Sequence, residues 1–218
     1  MDVKRTNELA LNELEKLART TRSAEILREI VIKHFNNEVI CWYVANNGYC
    51  SEETLATLAF HTSDKVKYKV AERSENITDK KALLSLALSK RKEIKEILAQ
   101  KTTDEATKIS LLRFNGNNPN IVATCLRRIH DPKFIANYIN KCARTALYAN
   151  VDSIISNKHI TEEVFFTLID NLRFIKQSQV KAILNHHNCT EEVERRILLK
   201  NVETNFIYWS STENWTKQ

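Results

Sequence analysis

Residues 151–169 read Val151-Asp152-Ser153-Ile154-Ile155-Ser156-Asn157-Lys158-His159-Ile160-Thr161-Glu162-Glu163-Val164-Phe165-Phe166-Thr167-Leu168-Ile169. Val151, Ile154 and Ile155 stand at i, i+3 and i+4, the apolar stripe of a helix. A polar turn over Ser156–His159 follows. Thr161 then stands where a helix N-cap belongs, with Glu162 and Glu163 in the first turn. A cap hydroxyl accepts from a free backbone N–H, and carboxylates face the positive end of the helix dipole. Val164, Phe165, Leu168 and Ile169 resume the helical stripe. The stretch predicts a helix, a tight turn and a second helix.

The same unit recurs along the chain. Ser23, Ser51, Thr78, Thr103, Asp131, Thr161 and Thr190 each open such a capped segment, at a spacing of about 25–30 residues. Pro132 follows the Asp131 cap at the first helical position, where its missing N–H costs nothing. A second ladder precedes most of the caps: Ile40-Tyr43-Val44, Ile94-Ile97-Leu98, Val122-Cys125-Leu126, Val151-Ile154-Ile155 and Val180-Ile183-Leu184. Val66-Lys69-Val70 keeps the frame with a lysine in the middle. Two ladders with one period point to a repeat. Helices of about ten residues are marginal alone and gain stability by stacking on neighbours. The expected fold is all-α: a right-handed α-solenoid of six to seven two-helix repeats over residues 1–200. A capping helix is expected at 7–19, and the tail 201–218 is expected to pack on the last repeat. In the tail, Phe206, Tyr208, Trp209 and Trp215 would cover its apolar face or anchor a partner.

Composition agrees. The chain of 218 residues is 43% hydrophobic with only 2 Gly and 2 Pro, so the punctuation that hairpins require is nearly missing. The first residues carry no apolar core of a secretory signal, and no apolar run approaches a membrane span. Cys41, Cys50, Cys125, Cys142 and Cys189 are scattered and form no CxxC, which suits a reducing cytoplasm. The expected location is cytoplasmic, with no membrane partner.

The turns Val44-Ala45-Asn46-Asn47-Gly48-Tyr49-Cys50-Ser51-Glu52-Glu53, Ile155–Val164 and Leu184-Asn185-His186-His187-Asn188-Cys189-Thr190-Glu191-Glu192-Val193 resemble the unit of variant leucine-rich repeats. In that family an apolar helix ends in an Asn-rich turn before a Ser/Thr cap. The likeness covers roughly residues 20–200 and is also similar to HEAT-like and armadillo-like arrays. It departs from the variant leucine-rich repeat in lacking turn prolines and in its longer period, which favours a HEAT-like pair of helices. The resemblance implies a binding scaffold and no reaction. The iron–sulfur cluster of one branch of that family is not carried over, since the chain has no N-terminal cysteine cluster.

No nucleotide, serine-hydrolase or zinc-protease motif occurs, and two glycines leave no Gly-rich phosphate cradle. No catalytic residue, metal or cofactor is expected. His159, His186, His187 and Cys189 fall near one turn edge, but they lack the paired short spacing of a structural zinc site and read as turn residues, with Cys189 facing inward like Ile77 and Ile160. The acidic pairs at helix starts are explained by the dipole.

With net charge +6 and a pI near 9.0, basic residues carry more information. Lys65, Lys67, Lys69, Lys90, Arg91, Lys92, Arg144, Arg173 and Lys176 lie in or near the joints between a capped helix and the next triplet helix. Stacking would gather them into a ridge able to bind a partner. The leading expectation is a non-enzymatic scaffold for a protein partner. Nucleic acid held along the ridge is the alternative, since several Lys/Arg contacts release counterions. A HEAT-like DNA glycosylase using Trp42 and Asp152 is the third reading. Oligomeric state is not legible.

Overall fold

The computed structural model describes residues 3–200 and 202, with side chains from residue 10 onward. The tail proposed to cap the last repeat lies outside the described residues, apart from Val202. The described residues are helix and turn throughout, with no strand among them. No helix among them is long and apolar enough to cross a membrane.

The chain divides between Phe114 and Asn115 into two compact units. The first holds α1 (Val3–Thr20), α2 (Ala24–His34), α3 (Glu38–Asn46), α4 (Glu52–Leu58), α5 (Asp64–Ala71), α6 (Lys80–Ala87), α7 (Lys92–Lys101) and α8 (Glu105–Phe114). A 3₁₀ turn at Ser74–Asn76 links α5 to α6. The second unit holds α9 (Pro119–Arg128), α10 (Pro132–Lys141), α11 (Arg144–Ile155), α12 (Glu162–Asn171), α13 (Gln177–Leu184) and α14 over 191–200. Every triplet and every capped segment read from the sequence falls on its own helix. The first helix begins earlier than the expected 7–19.

Within the first unit the helices form two rows. The capping helix and the triplet helices contact in order, α1 with α3, α3 with α5 and α5 with α7. The capped helices do the same, α2 with α4, α4 with α6 and α6 with α8. The rows touch through α2–α3, α4–α5 and α6–α7. The second unit repeats the scheme, α9 with α11, α11 with α13, and α10 with α12. Ile40, Val44, Leu55, Leu58, Val66, Val70, Leu83, Leu86, Ile94 and Leu98 are almost fully buried between the rows of the first unit. Burying one such side chain stabilises by about 1.5–3 kcal/mol, which offsets the weakness of helices only two to three turns long.

Caps follow local chemistry. Ser23, Ser51 and Asp131 accept from the first-turn N–H groups of α2, α4 and α10 as expected. At α6 the cap is Asp79 rather than Thr78, and at α8 Asp104 rather than Thr103 accepts from Thr107 N at 2.7 Å. Thr161 precedes α12 without a side-chain cap bond. In α8 the buried face is Thr107, Lys108, Leu111 and Leu112, whereas Ala106 is exposed and Ile109 half-buried. The helical frame is shifted from the Ala106–Ile109 stripe: Lys108 is 2% exposed and pairs its ammonium with Glu105 at 2.8 Å.

Candidate functional site

Polar residues in the turns mostly tie one repeat to the previous one. The Asn47 amide donates to the carbonyls of Ala18 (2.9 Å) and Thr21 (3.0 Å), and its oxygen accepts from Tyr49 N. Asn157 repeats this in the second unit, donating to Leu126 (2.6 Å) and Ile129 (2.7 Å) and accepting from His159 N. These carbonyls lie at or just past the C-terminal ends of α1 and α9, where the helix itself supplies no donor. Arg73 acts one repeat after Asn47: its guanidinium bonds the carbonyls of Ala45, Asn47, Gly48 and Cys50. Capped helices are linked too. Glu52 accepts from the backbone N–H of Thr78 (2.7 Å) and from its hydroxyl, and Glu162 accepts from the Thr190 hydroxyl (2.7 Å). The first acidic residue after a cap therefore serves the next repeat as well as its own helix dipole. The Thr78 bonds hold the Glu52 carboxyl below the usual 4.5.

The histidines and cysteines are similarly engaged. His186 sits with Nε2 3.1 Å from the Asn157 carbonyl and Nδ1 accepting from Asn188 N. His186 stacks on His187, and His130 lies against His159. Burial, reinforced by His187, lowers the His186 pKa. No group of three or more metal-capable side chains occurs among the described residues. Burial pushes the Cys41 and Cys50 thiols up to about 11 and also raises Cys142 and Cys189. Such thiols are poor nucleophiles. Cys189 is half-buried, unlike Ile77 and Ile160, which are 2% and 0% exposed.

Six of the nine basic candidates lie in the first unit, and four of these line two grooves, two in each. Lys65 and Arg91 line one groove with Trp42, Tyr68 and Ile94, a space of about 290 Å³. Here the cations are neutralised: Lys65 pairs with Glu38 at 3.0 Å and Arg91 with Asp64 at 2.9 Å. Lys69 is half-buried, pairs with Glu72 at 2.8 Å and places its ammonium 5.8 Å from the centre of the Trp42 ring. The unexpected lysine of the triplet ladder thus reaches outward along its stem. Lys92 pairs with Glu96 one turn on. Lys67 and Lys90 instead line a second groove of about 710 Å³ with Phe60, Leu84, Leu88 and Lys81.

The remaining three candidates are in the second unit. Arg144 begins α11 and is exposed; Arg173 is exposed beside Phe174, which stacks on Tyr148. Lys176 precedes α13, its backbone N–H donating to Gln179 Oε1 at 3.2 Å. Asp152 accepts from Gln179 Nε2 at 3.0 Å, and its proposed companion Trp42 belongs to the other unit.

One feature of the first unit escaped the sequence reading. After the buried Leu58, Leu86 and Leu112, two residues on, stand Phe60, Leu88 and Phe114, exposed by 53%, 60% and 65%. Each is followed by a buried polar residue, His61, Ser89 or Asn115. The signal in the sequence was an apolar residue at or just past the end of the capped helix, outside its stripe.

Comparison of the chain with protein-family models, with curated proteins and with solved structures finds no significant match.

Proposed function

We propose that the chain is a non-enzymatic α-solenoid scaffold of the HEAT-like kind, and that the capped-helix face of its first unit holds a protein partner. The observation that carries this reading is the row Phe60, Leu88 and Phe114. One apolar side chain stands exposed at the same place in three consecutive repeats. Packing within the unit leaves more than half of each of these residues exposed, and exposed apolar surface rimmed by polar groups is characteristic of binding faces. In the second unit the matching places after Ile139 and Ile169 hold Lys141 and Asn171.

Other observations support a scaffold over the rivals. Many turn Asn, His and Glu side chains are occupied in holding repeats together, and four of the nine basic candidates already have carboxylate partners. A ridge neutralised in this way has less charge to offer a phosphate backbone.

Selection of displayed random peptides on the full chain tests the proposal. Enriched peptides should bind the wild type and lose binding to a Phe60→Ser/Leu88→Ser variant. Peptides that bind both proteins equally, or no enrichment at all, would remove this face as the binding surface.

A further inference from the structure

We infer that the groove walled by the α4–α5 turn, α5 and α6 takes an acidic amphipathic segment of a partner protein, its apolar side chains on Phe60, Leu84 and Leu88 and its carboxylates on Lys67, Lys81 and Lys90. This rests on the scaffold reading above and specifies the chemistry of the partner.

The charge argument comes from which groups are already engaged. Lys67, Lys81 and Lys90 line the groove and make no ion pair among the described residues. Asp64, the one acid on the lining, is bound to Arg91 at 2.9 Å. On the other side of Phe60 lies a second groove with Glu52, Glu53 and Asp79, whose carboxylates are occupied. Glu52 accepts from Thr78, Glu53 pairs with Arg28 at 3.2 Å, and Asp79 caps α6 at Ala82 N. The surface therefore presents unpaired positive charge on one side of the ring and satisfied negative charge on the other. The apolar floor gives an amphipathic helix its contact, and the lysines set the sign of its polar edge. Leu84 and Leu88 are one helical turn apart, 43% and 60% exposed, which matches the i, i+4 spacing of an incoming helix face.

The test uses three labelled peptides with the same Leu/Phe stripe, carrying Glu, Gln or Lys at the remaining positions, and a single-stranded DNA. Each is titrated by fluorescence anisotropy against the full chain, the Lys67→Glu/Lys81→Glu/Lys90→Glu variant and the Phe60→Ser/Leu88→Ser variant. All three lysines are solvent-accessible, so circular dichroism should show both variants folded. The Glu peptide should bind wild type and weaken by about tenfold or more on reversal of the three lysines, while the Lys peptide gains on the reversed protein. Equal binding of the Glu and Gln peptides, with no effect of reversal, would overturn the acidic specificity and leave the docking face intact. Binding of DNA that the lysine reversal abolishes, with no peptide bound, would overturn the inference in favour of nucleic acid. No association of any probe would also overturn it, and the peptide selection above then decides separately whether the face binds protein at all.

Discussion

The side-chain amide of Asn157 donates to the main-chain carbonyl of Leu126 at 2.6 Å, 31 residues earlier in the chain, and to Ile129 at 2.7 Å. Asn157 is fully buried. Asn157→Ala would leave two buried helix-end carbonyls without this donor, and the expected cost is about 2–3 kcal/mol. Asn157→Asp should be at least as damaging, since a carboxylate replaces a donor with charge facing carbonyl oxygen. Urea unfolding followed by circular dichroism checks both. A loss under about 0.5 kcal/mol for the alanine variant would show the bond to be dispensable.

Arg73 offers the planar counterpart of the same link. Its two terminal nitrogens reach four carbonyls spread over Ala45–Cys50. An ammonium cannot span that fork. Arg73→Lys should therefore destabilise nearly as much as Arg73→Ala, by about 1–3 kcal/mol in thermal or urea melts. Full rescue by lysine would mean that charge alone matters.

Stability should fall in two steps as pH drops. Burial lowers the pKa of His61 and His186 below 6.5. The folded state resists protonating them, so their contribution is complete above about pH 6.5 and is lost as pH falls through the lower folded values. Glu52 is held below 4.5 by its bonds from Thr78, so its contribution is present above 4.5 and disappears further down. Urea midpoints between pH 8 and pH 3 read both steps. Thr78→Val should reduce the lower step, to which Glu25, Glu38 and Glu192 also contribute, and leave the upper one unchanged.

Exposed and buried apolar residues at the ends of the capped helices should behave oppositely. Leu86→Ala removes a fully buried side chain and should cost about 2–5 kcal/mol. Leu88→Ser, two residues on and 60% exposed, should leave stability within about 0.5 kcal/mol of wild type. Destabilisation by Leu88→Ser comparable with Leu86→Ala would give that side chain a packing role and withdraw the proposed binding face.

The helices were legible in the sequence because their signals are local. A triplet such as Val122-Cys125-Leu126 and a cap such as Ser51 act within one or two turns of chain, so spacing alone exposes them. Lys69 was visible as a break in the ladder for the same reason. The frame of α8 was not, because a lysine stem at position 108 can bury as well as a leucine when a carboxylate one turn away takes its charge. The role of Asn47, Asn157 and Arg73 was also hidden, since their partners lie 23–31 residues away and only the stacking of helices brings those carbonyls within reach. The same holds for the basic candidates. Sequence places Lys65 and Lys67 only two residues apart, but on a helix that spacing turns them about 200° from one another. It was the packing of α5 between α3, α4 and α7 that sent Lys65 to Glu38 beside Trp42 and left Lys67 unpaired beside Phe60. The chain's own periodicity determined which segments are helices. Which charges remain free for a partner was decided by tertiary structure, because a charge is neutralised by neighbours in space and not by neighbours in sequence.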